Sequence, residues 1–371
     1  MKEYDVIVVG AGAAGVGLGC MLLDVGIDNL LVIDRKGVGA SFEAWPEEMR
    51  FITPSFPSNS AGFLDLNSIA IGTSPAYSLQ VEHPTGKQYA QYLQAVATHF
   101  ELPVRTGIDV LSITELFPGL ILSTRQGSIR ARHVIWAAGE FQYPHLDPFP
   151  GAELCRHSSQ ISSWKNIQGQ EVFIVGGYES GIDAAIHLAR RGVSVTVLER
   201  SDTPAWESHQ SDPSYALSTF TNQRLKSAEI VSKINLGSGA DICEVRLGNE
   251  GYELICSTGH CFFSKSQPIL ATGFQGSTSV IADLFEYRED GFPLLNDRDE
   301  SSIVPGLFLA GPMVRHDQHV FCFIYKFRQR FGVVARAIAD QLGLPAERLE
   351  IYRQWGMYLD DLSCCGAECV C

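Results

Sequence analysis

Apolar and polar positions alternate in long blocks along the chain. Residues 4–9 (YDVIVV) form an apolar run of strand length. A glycine-rich turn, an Ala/Leu-rich helical stretch and a second apolar run, NLLVIDR at 29–35, follow it. The same order returns at 171–175 (EVFIV), followed by GGYESG, AAIHLARRG and VSVTVLER. Strand, glycine turn, helix and strand occurring twice predict two βαβ units, each seeding a parallel sheet. Between them, residues 104–134 read as short alternating strands broken at Pro118-Gly119 and Gln126-Gly127. This predicts a meander packed on the first sheet. Residues 205–265 repeat that character within the second unit. Residues 321–342 have helical periodicity, with Gly343 and Pro345 as stop signals.

Composition narrows the classes. Of 371 residues, 45% are hydrophobic and 19% charged, enough apolar mass for large cores and too little charge for disorder. The net charge of −14 argues against nucleic acid, which needs a basic face. No polybasic run points to a membrane surface. Residues 6–23 carry no charge and approach the length of a spanning helix. They also hold Gly10, Gly12, Gly15, Gly17 and Gly19, so a glycine turn entering a buried helix explains them better than an anchor or a signal peptide. A cytoplasmic protein is expected. Of ten cysteines, six are scattered singly and four (Cys364, Cys365, Cys369 and Cys371) crowd the last eight residues. That is no secreted disulfide framework.

The two glycine turns carry the chemistry. Gly10-Ala11-Gly12-Ala13-Ala14-Gly15 is a complete G-x-G-x-x-G between strand and helix. Its first glycine serves the tight turn, its second the approach of a pyrophosphate, and its third helix–strand packing. Asp34 closes the next strand, where a carboxylate binds ribose hydroxyls, and Arg35 follows it. An FAD or NAD adenosine is the expected ligand. In the second turn Gly176 and Gly181 hold the first and third places, but Tyr178 stands in the second, where it crowds a pyrophosphate. Glu199 occupies the ribose-binding place and favours NADH over NADPH, with Arg200 beside it as a countervailing charge. The expected class is α/β, with two doubly wound dinucleotide-binding (Rossmann-like) domains, the second inserted in the first. The expected boundaries are 1–163 and 275–345 for the first dinucleotide domain, which the superfamily resemblance below implies binds FAD, 164–274 for the second, which it implies binds NAD(P), and 346–371 for a Cys-rich C-terminal tail.

These marks resemble the two-domain FAD/NAD(P) pyridine nucleotide oxidoreductases: thioredoxin and disulfide reductases, flavin-containing monooxygenases and bacillithiol-disulfide-reductase-like proteins. VIWAAGEFQYP (134–144) and ILATGF (269–274) look like the two strand-to-turn crossovers of that superfamily. GLFLAGP (306–312) resembles its late FAD-contacting segment, with Pro312 where reductases usually carry Asp. The resemblance implies cofactor contacts at Ala13, Ala14, Ala138, Gly139, Gly273, Gly311 and Pro312. Trp45, Phe56 and Tyr143 are candidate walls for the isoalloxazine. No redox-active Cys pair lies within the two nucleotide units, so an internal dithiol mechanism is not expected. The F-x-G-x-x-x-H of the monooxygenases is displaced: Phe149 and Gly151 are present, but His157 falls six residues after the glycine instead of four.

The tail offers thiols instead. Leu362-Ser363-Cys364-Cys365-Gly366 resembles the vicinal C-terminal cysteines of mercuric reductase. Cys369 and Cys371 are placed to resolve that pair or to complete a thiolate set for a soft metal. His316, His319 and Cys322 are expected at the start of the last helix as a proton donor and a docking point for the tail. Lys326 and Arg328 are expected to face solvent or a cofactor phosphate. The expected activity is FAD-dependent NAD(P)H oxidation, with electrons passed to a disulfide or a soft metal ion through the tail. A flavin-dependent monooxygenase and a flavin-bearing redox or metal sensor are the alternatives. The expected partners are small-molecule or metal acceptors and a second copy in a homodimer, with neither nucleic acid nor membrane.

Overall fold

The computed structural model describes residues 3–56, 63–210, 212–227 and 229–363, which divide into two units. The first gathers the described residues of 1–43, 54–142 and 276–371, and the second those of 44–53 and 143–275.

The first unit is built on a seven-stranded sheet. Its strands β1 (Glu3–Val9), β2 (Leu30–Asp34), β3 (Val104–Thr106), β4 (Val110–Leu116), β5 (Gly119–Thr124) and β6 (Gly127–Trp136) lie in the order β3-β2-β1-β6-β5-β4. β1 runs parallel to both β2 and β6. The other edge of β6 is shared: β5 pairs with residues 127–131, and the Leu307–Leu309 strand pairs with residues 134–136. The meander therefore continues the first sheet edge to edge instead of packing on its face. The cause is the length of β6, whose buried end, Val134 to Trp136, joins the parallel core while its exposed start takes the antiparallel hairpin.

Helix α1 (Ala13–Asp24) is buried along nearly its whole length, which accounts for its uncharged sequence. A Cβ on Gly17 would lie 2.4 Å from Phe331 Cε2, so glycine there admits the Phe331–Leu342 helix. No helix among the described residues is long and apolar enough to cross a membrane. The 321–342 segment is helical only from Ile324, and Arg328–Arg330 forms a 3-10 turn within it. Lys326 and Arg328 face inward, at 3% and 5% exposure, in place of the solvent or phosphate expected for them. Arg328 donates to the carbonyls of Asp65, Ser68 and Leu64 at 2.5, 2.7 and 3.3 Å. Backbone acceptors thus use the charge that the sequence seemed to offer a ligand, and burial pulls the guanidinium down to about 10.

The second unit carries a parallel sheet of β7 (Arg156–His157), β8 (Glu171–Val175), β9 (Ser194–Leu198), β10 (Ile234–Gly237) and β14 (Ile269–Leu270), in the order β10-β9-β8-β14-β7. An antiparallel sheet of β11 (Ile242–Leu247), β12 (Tyr252–Cys256) and β13 (Cys261–Ser264) completes it. The unit starts at Tyr143, earlier than residue 164, because β7 adds a strand beside β14. Residues 44–53 belong to it through Glu48, whose carboxylate accepts from Ser163 Oγ at 2.6 Å and Trp164 N at 3.0 Å.

Residues 346–363 belong with the first unit, although the sequence suggested a tail from 346. Tyr352 Oη donates to Asp24 at 2.9 Å, Arg348 Nη2 does so at 2.6 Å, and Leu359 N donates to the Gln329 carbonyl at 2.8 Å. Met357 is fully buried. Apolar anchors at 352 and 357 fold this stretch, whatever its polar average.

Candidate dinucleotide sites

The two glycine turns are built alike, bond for bond. Gly10 N donates to Ile33 O at 2.7 Å and Gly176 N to Leu198 O at 2.8 Å, fastening each turn to the end of the neighbouring strand. Gly10 and Gly176 have φ of 108° and 107°, and a Cβ at either would meet a crossover carbonyl, Ala137 O or Ala271 O, at 2.4 Å. A Cβ at Gly15 would lie 1.8 Å from Gly10 O, and one at Gly181 would lie 1.9 Å from Gly176 O. These four glycines are demanded by the chain itself.

The second place differs. Gly12 caps α1 at φ −84° and ψ −167°, an extended conformation open to any residue, and a Cβ there would meet nothing within 4 Å. Nothing in the fold requires glycine at this point. The open space lies over the helix N-terminus, whose unpaired amides and dipole suit a pyrophosphate. The residues present fit a dinucleotide such as FAD. Tyr178 takes the same place at φ −94° and ψ −165°, capping α2 (Glu179–Arg190). Its side chain stands at the place that Gly12 leaves bare, and its hydroxyl donates to Pro213 O at 2.6 Å. Trp206 closes the turn from above, since a Cβ on Gly177 would come within 2.2 Å of its ring. Glu179, the first residue of α2, accepts from Ser218 N at 2.5 Å and Thr221 Oγ1 at 2.6 Å, and burial pushes its carboxyl above the usual range. Deeper in the helix, burial disfavours charge on Asp183, yet His187 and Arg224 together hold its carboxyl below the usual range. Arg224 Nη1 donates to it at 2.8 Å.

The acidic residues match as well. Asp34 accepts from Ala11 N at 2.9 Å through Oδ2, and from Lys36 N and Gly37 N at 2.7 and 2.9 Å through Oδ1. Glu199 accepts from Gly177 N at 2.7 Å and Ser201 N at 3.1 Å. Each carboxylate lies at the rim of its glycine turn, where the ribose-binding residue of such a fold sits, and Arg200 is exposed beside the second. Arg35 is turned to Gln142, donating to its Oε1 at 2.6 Å.

The crossovers repeat the pattern. Ala137 N donates to Val9 O and Ala271 N to Val175 O, both at 2.8 Å. Ala138, Gly139 and Gly273 follow them; the two glycines have φ of 67° and 80°, and a Cβ on either would meet nothing within 4 Å. Gly311 comes over α1, a Cβ there lying 3.4 Å from Ala14 Cβ, and Pro312 continues past it. In the first unit Gly10, Gly12, Ala13, Ala14, Gly15, Asp34, Ala138, Gly139, Gly311 and Pro312 thus gather at the carboxyl ends of the parallel strands, where ligands of this architecture bind. Trp45 belongs to the second unit and stacks on Phe51 at 5.0 Å, with Tyr143 in the same unit. Phe56 lines a cavity of about 510 Å³ with Phe63, Tyr77 and Trp355. A second cavity of about 410 Å³ lies against Cys20, Met21 and Ile351. Neither includes the glycine turns, and the conformation of those turns is the stronger guide to the chemistry.

His316 and His319 do not begin a helix. Arg315–His316 and His319–Val320 form a short antiparallel hairpin, and Cys322 precedes the helix that starts at Ile324. His316 Nε2 meets Asp299 Oδ1 at 2.5 Å, and Arg330 clamps the same fully buried carboxylate from Nη2 at 2.8 Å. His316 is therefore a hairpin anchor, and His319 Nδ1 meets its carbonyl at 3.2 Å. His157 ties β7 to the second crossover, its Nε2 lying 3.1 Å from Gly273 O. Cys364, Cys365, Cys369 and Cys371 lie outside the described residues, and with them the proposed metal set. Among the described residues no group of three or more His, Cys, Asp and Glu is arranged to hold a metal ion. Burial pushes the thiols of Cys20 and Cys155 up to about 12, far from a nucleophile's range.

Sequence reasoning missed Trp206 and Pro213, which close the second turn from a loop without a motif.

The profile of one protein family, described as Pyridine nucleotide-disulphide oxidoreductase, matches residues 7–311. The bacilliredoxin reductase Bdr of Bacillus subtilis is 24% identical over 92% of this chain and 99% of its own length. An uncharacterized oxidoreductase CzcO of Bacillus velezensis is 26% identical over 55% of this chain, which spans only 56% of that protein. Among solved structures, a bacillithiol disulfide reductase of Staphylococcus aureus matches at a TM-score of 0.74 and 20% identity, covering 92% of this chain and 99% of that one. A flavin monooxygenase of Stenotrophomonas maltophilia matches at 0.71 and 18%, covering 92% and 100%. These structural likenesses establish the two-domain FAD/NAD(P) oxidoreductase fold.

Proposed function

The chain belongs to the pyridine nucleotide-disulphide oxidoreductase family, and from that premise we propose that it oxidises NAD(P)H through bound FAD and reduces a thiol-linked acceptor. FAD and NAD(P)H are the typical cofactors of this family. The observation that carries the reading is the pair of matched glycine turns, one with Gly12 and one with Tyr178 at its second place. FAD supplies two-electron chemistry when bound, accepting a hydride and passing its electrons on. Gly10, Gly12 and Gly15 shape its pyrophosphate cradle, Asp34 stands at its ribose, and Gly139 and Gly311 leave its approach clear. Gly176, Gly181 and Glu199 serve the nicotinamide cofactor, with NADH favoured over NADPH by the carboxylate of Glu199. Tyr178 and Trp206 stand beside that turn and make way for the cofactor.

A disulfide is the favoured acceptor, in keeping with the reductase names of the Bacillus and Staphylococcus proteins. The described cysteines supply no reactive pair, so Cys364 and Cys365 relay the electrons, with Cys369 and Cys371 resolving them or sharing a soft metal ion. Assaying NAD(P)H oxidation with a small disulfide and with Hg(II) tests this, using the full chain and a chain ending at Leu362. The truncated protein is expected to keep FAD and flavin reduction yet lose turnover with either acceptor. Full turnover after truncation moves the chemistry to the flavin pocket. A flavin-bearing sensor is the second reading, favoured by the Tyr178 cover, and is supported if NAD(P)H fails to reduce the flavin of wild type.

A further inference from the structure

The reductase reading leaves one proton to be supplied. Reduction of a disulfide breaks one S–S bond and forms two S–H bonds, consuming two electrons and two protons. The nicotinamide gives a hydride, which is two electrons and one proton. The second proton must come from an acidic group that then reloads from water. Resting on that reading, we infer that Glu140, with Arg315 as its counter-charge, is the group that delivers this proton.

Its placement makes the case. Glu140 follows Gly139 on the crossover from β6, whose preceding residues Ala137 and Ala138 abut the Gly10 turn. Arg315 follows Gly311 and Pro312, which come over the start of α1 from the adjacent Leu307–Leu309 strand. Two neighbouring parallel strands therefore send an acid and a cation to the same carboxyl-end site, where the ligand of this architecture reacts. Arg315 is rigid: Nη1 donates to Pro312 O at 2.6 Å and Val314 O at 2.7 Å, and the guanidinium lies 4.0 Å from the centre of the Phe292 ring. Glu140 is half-buried, and none of the hydrogen bonds or ion pairs found among the described residues ties up its carboxyl.

The surroundings tune it. Burial raises the Glu140 carboxyl above the ordinary glutamate range, and Arg315 partly offsets this. Arg315 is the charged group whose field reaches it. Arg35 is turned to Gln142, and His316, next to Arg315, is turned to Asp299. A raised carboxyl keeps its proton to higher pH than an ordinary glutamate does, which suits a general acid.

The test is the pH profile of disulfide reduction by the holoenzyme in wild type, Glu140→Gln, Glu140→Asp and Arg315→Gln. The wild-type rate should fall on the alkaline side as Glu140 ionises. Glu140→Gln should lower the rate by about 100-fold and lose that limb, and Glu140→Asp should restore it. Arg315→Gln removes the charge that favours the carboxylate, so its alkaline limb should move to higher pH. Infrared difference spectra across the same pH range give a readout independent of turnover: a protonated-carboxyl band present in wild type and absent in Glu140→Gln. A wild-type rate and limb in Glu140→Gln, or an unchanged carboxyl band, overturns the inference. A wild-type flavin that NAD(P)H cannot reduce overturns the functional reading first, and the two failures are thereby distinguished.

Discussion

Gly12→Ala should fold like wild type and bind FAD about 10- to 100-fold more weakly, while Gly15→Ala should lose about 3 kcal/mol of stability or fail to fold. Both changes add one methyl group to the same turn, three residues apart. At Gly15 the methyl would stand 1.8 Å from the Gly10 carbonyl oxygen, a backbone atom that moves only with the whole turn. At Gly12 it would meet no atom of the chain within 4 Å, on a backbone that tolerates any side chain. It would occupy only the space reserved for a ligand. Thermal unfolding of the apoprotein and FAD titration by fluorescence separate the two effects. Equal destabilisation at both positions, or wild-type FAD affinity in Gly12→Ala, would remove the argument that this glycine exists for a cofactor.

Tyr178→Gly should tighten nicotinamide cofactor binding and speed flavin reduction, lowering the apparent Kd by about tenfold if the closed form outweighs the open form tenfold. Tyr178 holds the place that Gly12 has in the first turn, and the bond from its hydroxyl to Pro213 O fixes its ring. Opening that bond costs binding energy, so removing the ring should lower the cost. Tyr178→Phe keeps the ring and loses the bond, and should fall between the two. A Tyr178→Gly protein no better than wild type would show that the ring is no obstacle and contributes to the site instead.

The comparison of the turns also shows what sequence reasoning can reach. Gly10, Gly15, Gly176 and Gly181 were legible because backbone geometry admits only one residue type at each. The positions of Asp34 and Glu199 at the rims of their turns were legible because a strand ends at a fixed distance from its turn. The His316, His319 and Cys322 spacing misled: alternation in a two-residue hairpin and a helical period look alike over so few positions, and Asp299 lies too far along the chain to be paired by eye. Arg328 misled for a related reason. A charge reads as solvent-facing unless its acceptors are known, and the carbonyls of residues 64, 65 and 68 are acceptors that every sequence possesses. Residues 346–359 look polar on average, yet Tyr352 and Met357 are enough to fasten them. Glu140 could have been found from its place after the crossover. That the charge of Arg315 reaches it required the fold, because β6 and the Leu307–Leu309 strand are neighbours only in space.

Anaerobic titration of the purified protein with NADH, and separately with NADPH, is the most direct test of the central claim. The account predicts a yellow protein that releases FAD on denaturation. Its flavin should be bleached by one equivalent of reduced nicotinamide, faster by NADH, and should recover its colour when a disulfide is added. A protein that cannot be loaded with FAD, or a flavin that stays oxidised in the presence of both nucleotides, would contradict it.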